Sequence, residues 1–457
     1  MEDILNGPWK AAGWLALVVL IATVGFEALK SDEVKTAGDS QAREKATAFI
    51  TLLSSGRFTQ AATIFDEKMT EGLPPEKLEL VWKALQMQLG SFNSTGETWT
   101  NKRKGHTIVF VRCLFERGSL LAKVVYNPKG RIAGLFFVPD PNPPKRTEKE
   151  RPPKGVTEVE ITVKTGEWKL PGTLSMPSEG GPFPALVLVH GSGPQDRDES
   201  LGPNRPFRDL AWGLGQRGIA VLRYEKRTRQ YAGKMAGLLE RITVKEETVD
   251  DAVSAVELLA GHAKIAPKKV FVLGHSLGGT VIPRIAEGAP KAAGFIILAG
   301  AARPLEDVIV DQVRYIHSLD GSLSSEEKVE IAGLEKKAQL VKELLPLEST
   351  PATMLPLSIG ASYWLDLTRN SPVKGAAGMT RPLLLLQGER DYQVTLDDWK
   401  LWQEGLRGRK RVKFILYPDL NHLFMEGVGM ATPEEYTKPG KVSEKVLDDV
   451  AAWMKSL

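Results

Sequence analysis

Cysteine is almost absent from this sequence of 457 residues, which contains a single one, Cys113. One thiol excludes an intramolecular disulfide and a metal site built from several thiolates. Cys113 lies in an apolar stretch, residues 108–115, that is typical of a buried strand, so we expect an unreactive thiol. The cysteine count therefore does not report the redox compartment of the protein.

An excess of charge of one sign is also missing. The chain carries 60 basic and 56 acidic residues, a formal net charge of +4. Nucleic-acid binding requires basic residues gathered on one face, so this balance predicts no nucleic-acid partner. The hydrophobic content of 42% and charged content of 25% are those of a globular protein. A chain of this length is expected to form more than one domain.

An uncharged hydrophobic run stands near the N-terminus, at residues 14–26. It is longer than most signal-peptide cores and a little short for a full membrane span of about 20 residues. The polar residues that follow show no amphipathic period, which argues against a buried helix. We therefore expect residues 1–30 to be a signal peptide or an N-terminal membrane anchor, and the protein to be extracytoplasmic, exported or anchored to the membrane.

Residues 40–138 change their hydrophobic period halfway. Apolar residues at three- and four-residue spacing predict helices first, the third of them opening at Pro74 and Pro75. Short apolar strands are then expected at 106–115, 120–126 and 132–138. Three helices followed by an antiparallel sheet form a small α+β domain, and this order resembles the nuclear-transport-factor-two-like domains.

Residues 139–154 are proline-rich and charged, which predicts an extended linker. Beyond it, residues 155–457 alternate strands with helices, which predicts an α/β fold with a mostly parallel, doubly wound sheet. A hairpin is expected at 158–163 and 172–176. The buried strands are expected at 185–189, 219–223, 269–273, 294–298, 382–386 and 412–417.

A mostly helical segment at about 303–380 interrupts this alternation. It is too long for a simple crossover, so we expect a helical cap over the strand ends. Met354, Tyr363 and Trp364 either form the core of this cap or line an acyl pocket. Its helices are expected at 306–319, 325–345 and 352–368.

A G-x-S-x-G motif, Gly274 to Gly278, follows the expected strand 269–273 and precedes a helical pattern. In that context the serine stands on a sharp strand-to-helix turn that exposes its hydroxyl. The helix that follows directs its N-terminal amides at the site and favours negative charge there. The motif therefore predicts Ser276 as a nucleophile.

A serine hydroxyl needs an adjacent base, and the base needs an acid that fixes its tautomer. Of the six histidines, His422 lies just past the last strand, on a loop at the same sheet edge as Ser276. Asp391 follows the penultimate strand. Glu389, two residues earlier, and Asp419, near the histidine, are rival acids at this point.

The loop that follows the first parallel strand, His190-Gly191-Ser192-Gly193, is rich in small residues. A tetrahedral oxyanion needs two preorganised donors, each of which lowers the barrier by roughly 3 kcal/mol. We predict that the backbone N–H groups of Leu277 and Ser192 form this oxyanion hole. Small residues let the backbone approach the substrate closely.

Residues 155–457 resemble bacterial α/β-hydrolases of the esterase and acyl-peptidase superfamily. The segments HGSGPQDRD, RYEKR, GHSLGG and GERD and the late histidine occur in the family's order. In that family a G-x-x-D loop carries the acid, so the resemblance implies Asp391 and a triad in the order Ser276, Asp391, His422. The chain departs from the prolyl iminopeptidase relatives, whose H-G-G-P-G motif it lacks.

This resemblance implies a serine hydrolase that cleaves carboxylic esters through an acyl-enzyme intermediate. The expected partner is a small-molecule ester or acyl substrate, and no metal or organic cofactor is implied. An exopeptidase or amidase with the same triad is the alternative, and it would need a charged pocket for a peptide terminus, for which Glu225 and Arg227 are candidates. A non-catalytic binding module would lack a triad member, and none is missing. Acyl-chain length and oligomeric state depend on tertiary packing that no motif encodes.

Overall fold

The computed structural model of the chain describes residues 37–90, 92–103, 105–115, 118–141, 151–231, 234–235, 238, 240–343 and 350–457. The predicted signal peptide or anchor, residues 1–30, lies outside these residues, as does the middle of the predicted linker. None of the helices formed by the described residues is both long and apolar enough to span a bilayer. The chain divides into two compact units, Met1–Glu148 and Lys149–Leu457.

The first unit consists of helices followed by an antiparallel sheet. Phe49, Ile50 and Leu53 recur at helical spacing and bury one face of the first helix in the core of this unit. Cys113 is fully buried in the same core, and burial raises the pKa of its thiol to about 12, as expected of an unreactive side chain. Helices α1–α4 span Ala37–Ser54, Phe58–Ala62, Glu67–Gly72 and Pro75–Leu89, and strands β1–β4 span Phe92–Arg103, His106–Phe115, Gly118–Tyr126 and Ile132–Pro139.

Two elements of this unit differ from the sequence prediction of three helices and three strands. Strand β1 pairs with β2, with Arg103 opposite His106, and forms one edge of the sheet. An edge strand buries little surface, so its sequence can be mostly polar, as that of β1 is. Such a sequence lacks the apolar run from which a strand is predicted. The short helix α3 is capped by Asp66, whose carboxylate accepts the N–H of Met69 at 3.0 Å. A short capped helix needs no apolar stripe.

The second unit is built on an eight-stranded sheet with the order β12-β11-β10-β9-β7-β8-β6-β5. Strands β7 to β12 are parallel, as predicted, and the hairpin β5–β6 adds two antiparallel strands at one edge. Strands β5–β12 span Val156–Thr165, Trp168–Pro177, Phe183–Val189, Ala220–Tyr224, Ile265–His275, Ala292–Leu298, Leu383–Gly388 and Val412–Tyr417.

Helices cover both faces of this sheet. Along β7, Leu186 and Leu188 pack into one core cluster with Phe207, whereas Val187 packs into the opposite cluster with Val256. This alternation explains the continuous apolar run, because both faces of a central strand are buried. Helices α5–α15 span Pro206–Gln216, Arg227–Gln230, Asp250–Ala260, Leu277–Thr280, Ile282–Gly288, Leu305–His317, Ser325–Lys342, Ala361–Thr368, Pro372–Gly378, Leu396–Gly405 and Glu444–Lys455.

The helical cap contains α10–α13 and lies between β10 and β11 in the chain. The single helix predicted at 352–368 is wrong, because two 3₁₀ turns, Ala352–Met354 and Pro356–Ser358, precede α12. Pro356 lacks the N–H that a continuous α-helix needs at that position. The helices predicted at 306–319 and 325–345 correspond to Leu305–His317 and Ser325–Lys342.

Two neighbouring aromatic side chains of the cap, Tyr363 and Trp364, are buried. Trp364 is fully buried and packs with Val341 and Leu355 of the cap, so it belongs to the cap's own core. Tyr363 is also buried, whereas Met354 is 51% exposed.

Candidate active site

Ser276 stands at the turn between β9 and α8. Its backbone has φ 53° and ψ −120°, a strained conformation that residues other than glycine rarely adopt. The Ser276 N–H donates to the carbonyl oxygen of Leu298 at 2.9 Å, which ties the turn to the neighbouring strand β10. The residue itself is only partly buried. This is the geometry of a nucleophile elbow, which lifts a hydroxyl clear of the sheet.

The two glycines of the motif are required by the closeness of other backbone atoms. A Cβ at Gly278 would overlap the carbonyl oxygen of Val189 and lie 2.7 Å from that of His190. A Cβ at Gly274 would overlap the carbonyl group of Gly278. These neighbours are backbone atoms of β7, of the loop that follows it and of the turn itself, and they cannot move aside as a flexible side chain would.

Asp391 and His422 are hydrogen-bonded at the ends of neighbouring strands. Nδ1 of His422 lies 2.7 Å from Oδ2 of Asp391, and both side chains are buried. The N–H groups of Gln393 and Val394 donate to Oδ1 of Asp391 at 2.8 and 3.0 Å, and fix the orientation of the carboxylate. A carboxylate accepts this hydrogen bond, so Nδ1 carries the proton and Nε2 is left able to take one up.

The two rival acids, Glu389 and Asp419, are not paired with the histidine among the described residues. Asp419 pairs with Lys445 at 3.0 Å on the surface, and the hydrogen bond from that lysine holds the pKa of Asp419 below its ordinary value. Among the described residues, neither Asp419 nor Glu389 forms an ion pair with His422. Of the three candidates, the structure brings Asp391 to the histidine.

The loop that follows β7 lies directly against Ser276. A Cβ at Gly191 would lie 3.1 Å from Cβ of Ser276. In the part of the chain that the structure describes, the N–H groups of Ser192 and Leu277 donate to no protein acceptor. Leu277 begins α8, and the first amides of a helix have no partner within it. Leu277 directly follows Ser276, and Ser192 directly follows Gly191, which lies against Ser276, so both predicted oxyanion donors adjoin the elbow without a protein acceptor among the described residues.

His190 of the same loop is buried and neutral. Burial lowers the pKa of its imidazole to about 3. Nε2 lies 2.9 Å from the carbonyl oxygen of Asp196, so this nitrogen donates, and the ring packs 5.0 Å from that of Phe207. His190 therefore shapes the loop and lacks the titration that a base requires.

A second pair of an acid and a histidine supports the first, and the sequence did not predict it. Nδ1 of His275 lies 2.8 Å from a carboxylate oxygen of Glu199, and Nε2 lies 2.9 Å from the main-chain carbonyl oxygen of His422. The other oxygen of Glu199 accepts the N–H of Gly191 at 2.6 Å. This pair therefore connects the elbow, the histidine loop and the oxyanion loop.

The charges of this second pair follow from its partners. Burial lowers the pKa of His275, but the Glu199 carboxylate and the His422 carbonyl outweigh it and leave that pKa above its ordinary value. Burial raises the pKa of Glu199, but His275 outweighs it and leaves that pKa below its ordinary value. Both ring nitrogens of His275 therefore donate, and the pair is an imidazolium beside a carboxylate. The one feature of the sequence that could have indicated this pair is the histidine at the second position of the G-x-S-x-G motif, His275.

A metal site would require several His, Cys, Asp or Glu side chains that converge on one point. Among the residues that the structure describes, no group of three or more does so.

Comparison with known proteins gives two family matches. Residues 186–437 match the alpha/beta hydrolase family, and residues 46–135 match a protein family of unknown function, DUF3887. The chain is 39% identical to Esterase EstD of Thermotoga maritima over 415 residues, which are 90% of this chain and 95% of that protein. It is 23% identical to the monoacylglycerol lipase of Mycolicibacterium smegmatis over 278 residues, 60% of this chain and 89% of that one. The hyperthermophilic esterase of Pyrobaculum calidifontis matches with a TM-score of 0.41 at 19% identity, over 66% of this chain and 85% of that one.

The chain belongs to the alpha/beta hydrolase family, because that match covers more than half of it and the Thermotoga relative aligns with nearly its whole length. The predicted fold class is confirmed: an α/β-hydrolase sheet with a helical cap, and a small α+β domain before it. The alignment with the Thermotoga relative is long enough to extend into that first domain.

Proposed function

We propose that the protein is a carboxylesterase that cleaves small-molecule esters through an acyl-enzyme intermediate on Ser276, with His422 as base and Asp391 as orienting acid. The observation that carries the proposal is the 2.7 Å hydrogen bond between Asp391 and His422. The backbone of His422 is in turn hydrogen-bonded to His275, which directly precedes a serine on a strained elbow. The name of the Thermotoga relative, an esterase at 39% identity, supports the ester as substrate.

The first half of the reaction acylates the serine. Oγ of Ser276 attacks the ester carbonyl carbon while Nε2 of His422 takes the hydroxyl proton. The carbonyl oxygen becomes an oxyanion, to which the N–H groups of Leu277 and Ser192 donate. The carbon–oxygen bond to the alcohol then breaks, and the imidazolium returns the proton to the departing alkoxide, so an alcohol leaves and an acyl-Ser276 ester remains.

The second half repeats these steps with water. His422 takes a proton from a water molecule, whose oxygen attacks the acyl carbon. The second tetrahedral intermediate expels the serine oxygen, which regains its proton from the imidazolium, and a carboxylic acid leaves. Throughout, Asp391 holds the Nδ1 proton of the ring and stabilises the imidazolium without taking up the proton itself.

The peptidase alternative lacks support at the residues proposed for a peptide terminus. Glu225 is paired with Arg197 at 3.0 Å and with Arg229 at 3.3 Å. Arg227 is buried in an ion pair with Asp251. Because these side chains already have charged partners within the fold, none of them offers an unmatched charge to a peptide terminus.

The test is hydrolysis of p-nitrophenyl esters of graded acyl length, with aminoacyl p-nitroanilides alongside. We expect ester turnover that Ser276→Ala lowers by at least about 10³-fold, and little cleavage of the anilides. Ser322→Ala, at an exposed serine of the cap, is the matched control and should retain wild-type turnover. Anilide cleavage that exceeds ester cleavage would favour the peptidase, and ester turnover that survives Ser276→Ala would overturn the proposed nucleophile.

We also propose that residues 1–30 direct the protein out of the cytoplasm, as a cleaved signal peptide or as an uncleaved anchor. Their uncharged hydrophobic run supports this location. Fractionation of cells that express the full chain, followed by N-terminal sequencing, tests it. Recovery of the intact chain in the cytosol would contradict export.

A further inference from the structure

Lys226, in the RYEKR segment, is a buried cation directed at the oxyanion loop. Its side chain is 2% exposed, and Nζ donates to the main-chain carbonyl oxygen of Gly191 at 2.8 Å. A carboxylate oxygen of Glu247 lies 2.9 Å from the same Nζ. A buried ammonium group is costly unless it is paired and hydrogen-bonded, and here it is both. The catalytic steps proposed above do not use this lysine.

The chain of contacts continues from Lys226 into the cap. The other carboxylate oxygen of Glu247 accepts the hydroxyl of Tyr363, on α12, at 2.7 Å. Burial, together with the Glu247 carboxylate, raises the pKa of Tyr363 well above its ordinary value, so the hydroxyl remains protonated and donates. Three buried side chains thus connect a cap helix with the carbonyl group of Gly191.

The orientation of that carbonyl group determines where the Ser192 N–H points. The two groups belong to the same trans peptide, in which C=O and N–H project in opposite directions. Glycine has no side chain to restrict its backbone, so the peptide that follows Gly191 rotates easily unless other residues hold it. The Gly191 N–H is held by Glu199 at 2.6 Å, and its C=O is held by Lys226.

We propose that Lys226 is a positioning residue of the oxyanion hole. It holds the Gly191–Ser192 peptide with the Ser192 N–H directed at the oxyanion, and Glu247 and Tyr363 hold the lysine. A cation on the carbonyl side also polarises this peptide and strengthens its N–H as a donor. The inference rests on the proposed function, in which the Ser192 N–H binds the oxyanion.

The test compares Lys226→Met and Tyr363→Phe with wild type, and uses Arg227→Met as the matched control. Arg227 is the next residue and is also buried and ion-paired, but its ion-pair partner is Asp251 and it has no described hydrogen bond to Gly191. The readouts are kcat and KM for a p-nitrophenyl ester and the inhibition constant of an aliphatic trifluoromethyl ketone. That ketone forms a tetrahedral oxyanion on the serine, so its affinity reports the oxyanion hole directly.

We expect Lys226→Met to lower kcat by about 10- to 100-fold with KM changed less than about 3-fold. A misdirected N–H donor should lower kcat by no more than the complete loss of that donor would. The inhibition constant of the ketone should rise by the same factor by which kcat/KM falls. Tyr363→Phe should act in the same direction, by about 3- to 10-fold. Arg227→Met should change thermal stability, but it should not lower kcat/KM and raise the inhibition constant of the ketone by the same factor.

Two results would overturn the inference. One is a Lys226→Met enzyme with unchanged kcat, and the other is a fall in kcat that leaves the affinity for the ketone unchanged. If Lys226→Met does not fold, Tyr363→Phe, which removes a single hydroxyl, decides by the same two criteria. Labelling of wild-type Ser276 by a fluorophosphonate separates this outcome from failure of the proposed function, because an unlabelled wild type would contradict the nucleophile itself.

Discussion

Nε2 of His275 donates to the main-chain carbonyl oxygen of His422 at 2.9 Å, and the two imidazole rings lie 4.7 Å apart. The residue that precedes the proposed nucleophile therefore holds the backbone of the proposed base. Glu199 on the opposite ring nitrogen keeps His275 protonated, so the geometry of the site depends on a charge that takes no part in the proposed reaction.

The first prediction concerns this charge and uses Glu199→Gln, which keeps the shape and removes the carboxylate. The folded pKa of His275 is raised above 6.5, so its contribution to stability is full below pH 6.5 and is lost as the pH rises through that folded pKa. The folded pKa of Glu199 is lowered below 4.5, so its contribution is full above pH 4.5 and is lost as the pH falls through that folded pKa.

The pair therefore stabilises the fold most between pH 4.5 and 6.5. In that window we expect Glu199→Gln to lower the free energy of unfolding by about 2 kcal/mol, and the difference from wild type to shrink as the pH rises further. Thermal unfolding of both proteins from pH 4 to 9 is the measurement. A difference that stays constant across this range would contradict the charged pair.

The second prediction distinguishes two of the three candidate acids, Asp391 and Asp419. Asp391→Asn should lower kcat by about 10⁴-fold with little loss of stability, because an amide favours the wrong tautomer of His422. Asp419→Asn, which removes a surface carboxylate paired with Lys445, should retain wild-type kcat. Steady-state kinetics on one p-nitrophenyl ester decide between them. A kcat that is lower for Asp419→Asn than for Asp391→Asn would reverse the assignment.

The sequence allowed the sheet and the candidate site to be predicted because both rest on local signals. The strand Val412–Tyr417 is a short apolar run between polar segments, and Ser276 lies within a motif that needs a strand before it and a helix after it. The choice of Asp391 over Glu389 and Asp419 rested on the resemblance to α/β-hydrolases, and in the structure the neighbouring parallel strands β11 and β12 bring Asp391 to His422.

The contacts that the sequence did not predict are those between distant residues without a shared motif. Glu199 and His275 are 76 positions apart, and no pattern relates them. Strand β1 is mostly polar, and only its pairing with β2 makes it a strand. Tertiary hydrogen bonds decide such features, and these leave no period in the sequence.

The third prediction concerns the space around the elbow. Gly278→Ala places a methyl group against two carbonyl oxygens, so we expect a loss of at least about 3 kcal/mol of stability together with loss of activity. Gly333→Ala, at an open position in α11, should instead stabilise the protein by about 0.5–1 kcal/mol. Thermal unfolding and ester turnover measure both, and an active, stable Gly278→Ala protein would contradict this packing.

The fourth prediction concerns the cap. Trp364→Ala should lower the free energy of unfolding by about 3–5 kcal/mol, because it empties the core of the cap. Met354→Ala, at a side chain that is 51% exposed, should change it by less than about 0.5 kcal/mol. Chemical denaturation measures the two. A Trp364→Ala protein of unchanged stability with an altered acyl-length preference would instead identify this tryptophan as part of a substrate pocket.

The insertion of the cap between β10 and β11 has a consequence for engineering. These two strands are parallel hydrogen-bonded neighbours, with Leu298 opposite Leu386, so the chain leaves β10 at the carboxyl edge of the sheet and enters β11 at the amino edge. Any segment that replaces the cap must therefore still cross from one edge of the sheet to the other. It must also supply a hydrogen-bond donor in place of Tyr363, whose hydroxyl donates to Glu247 outside the cap.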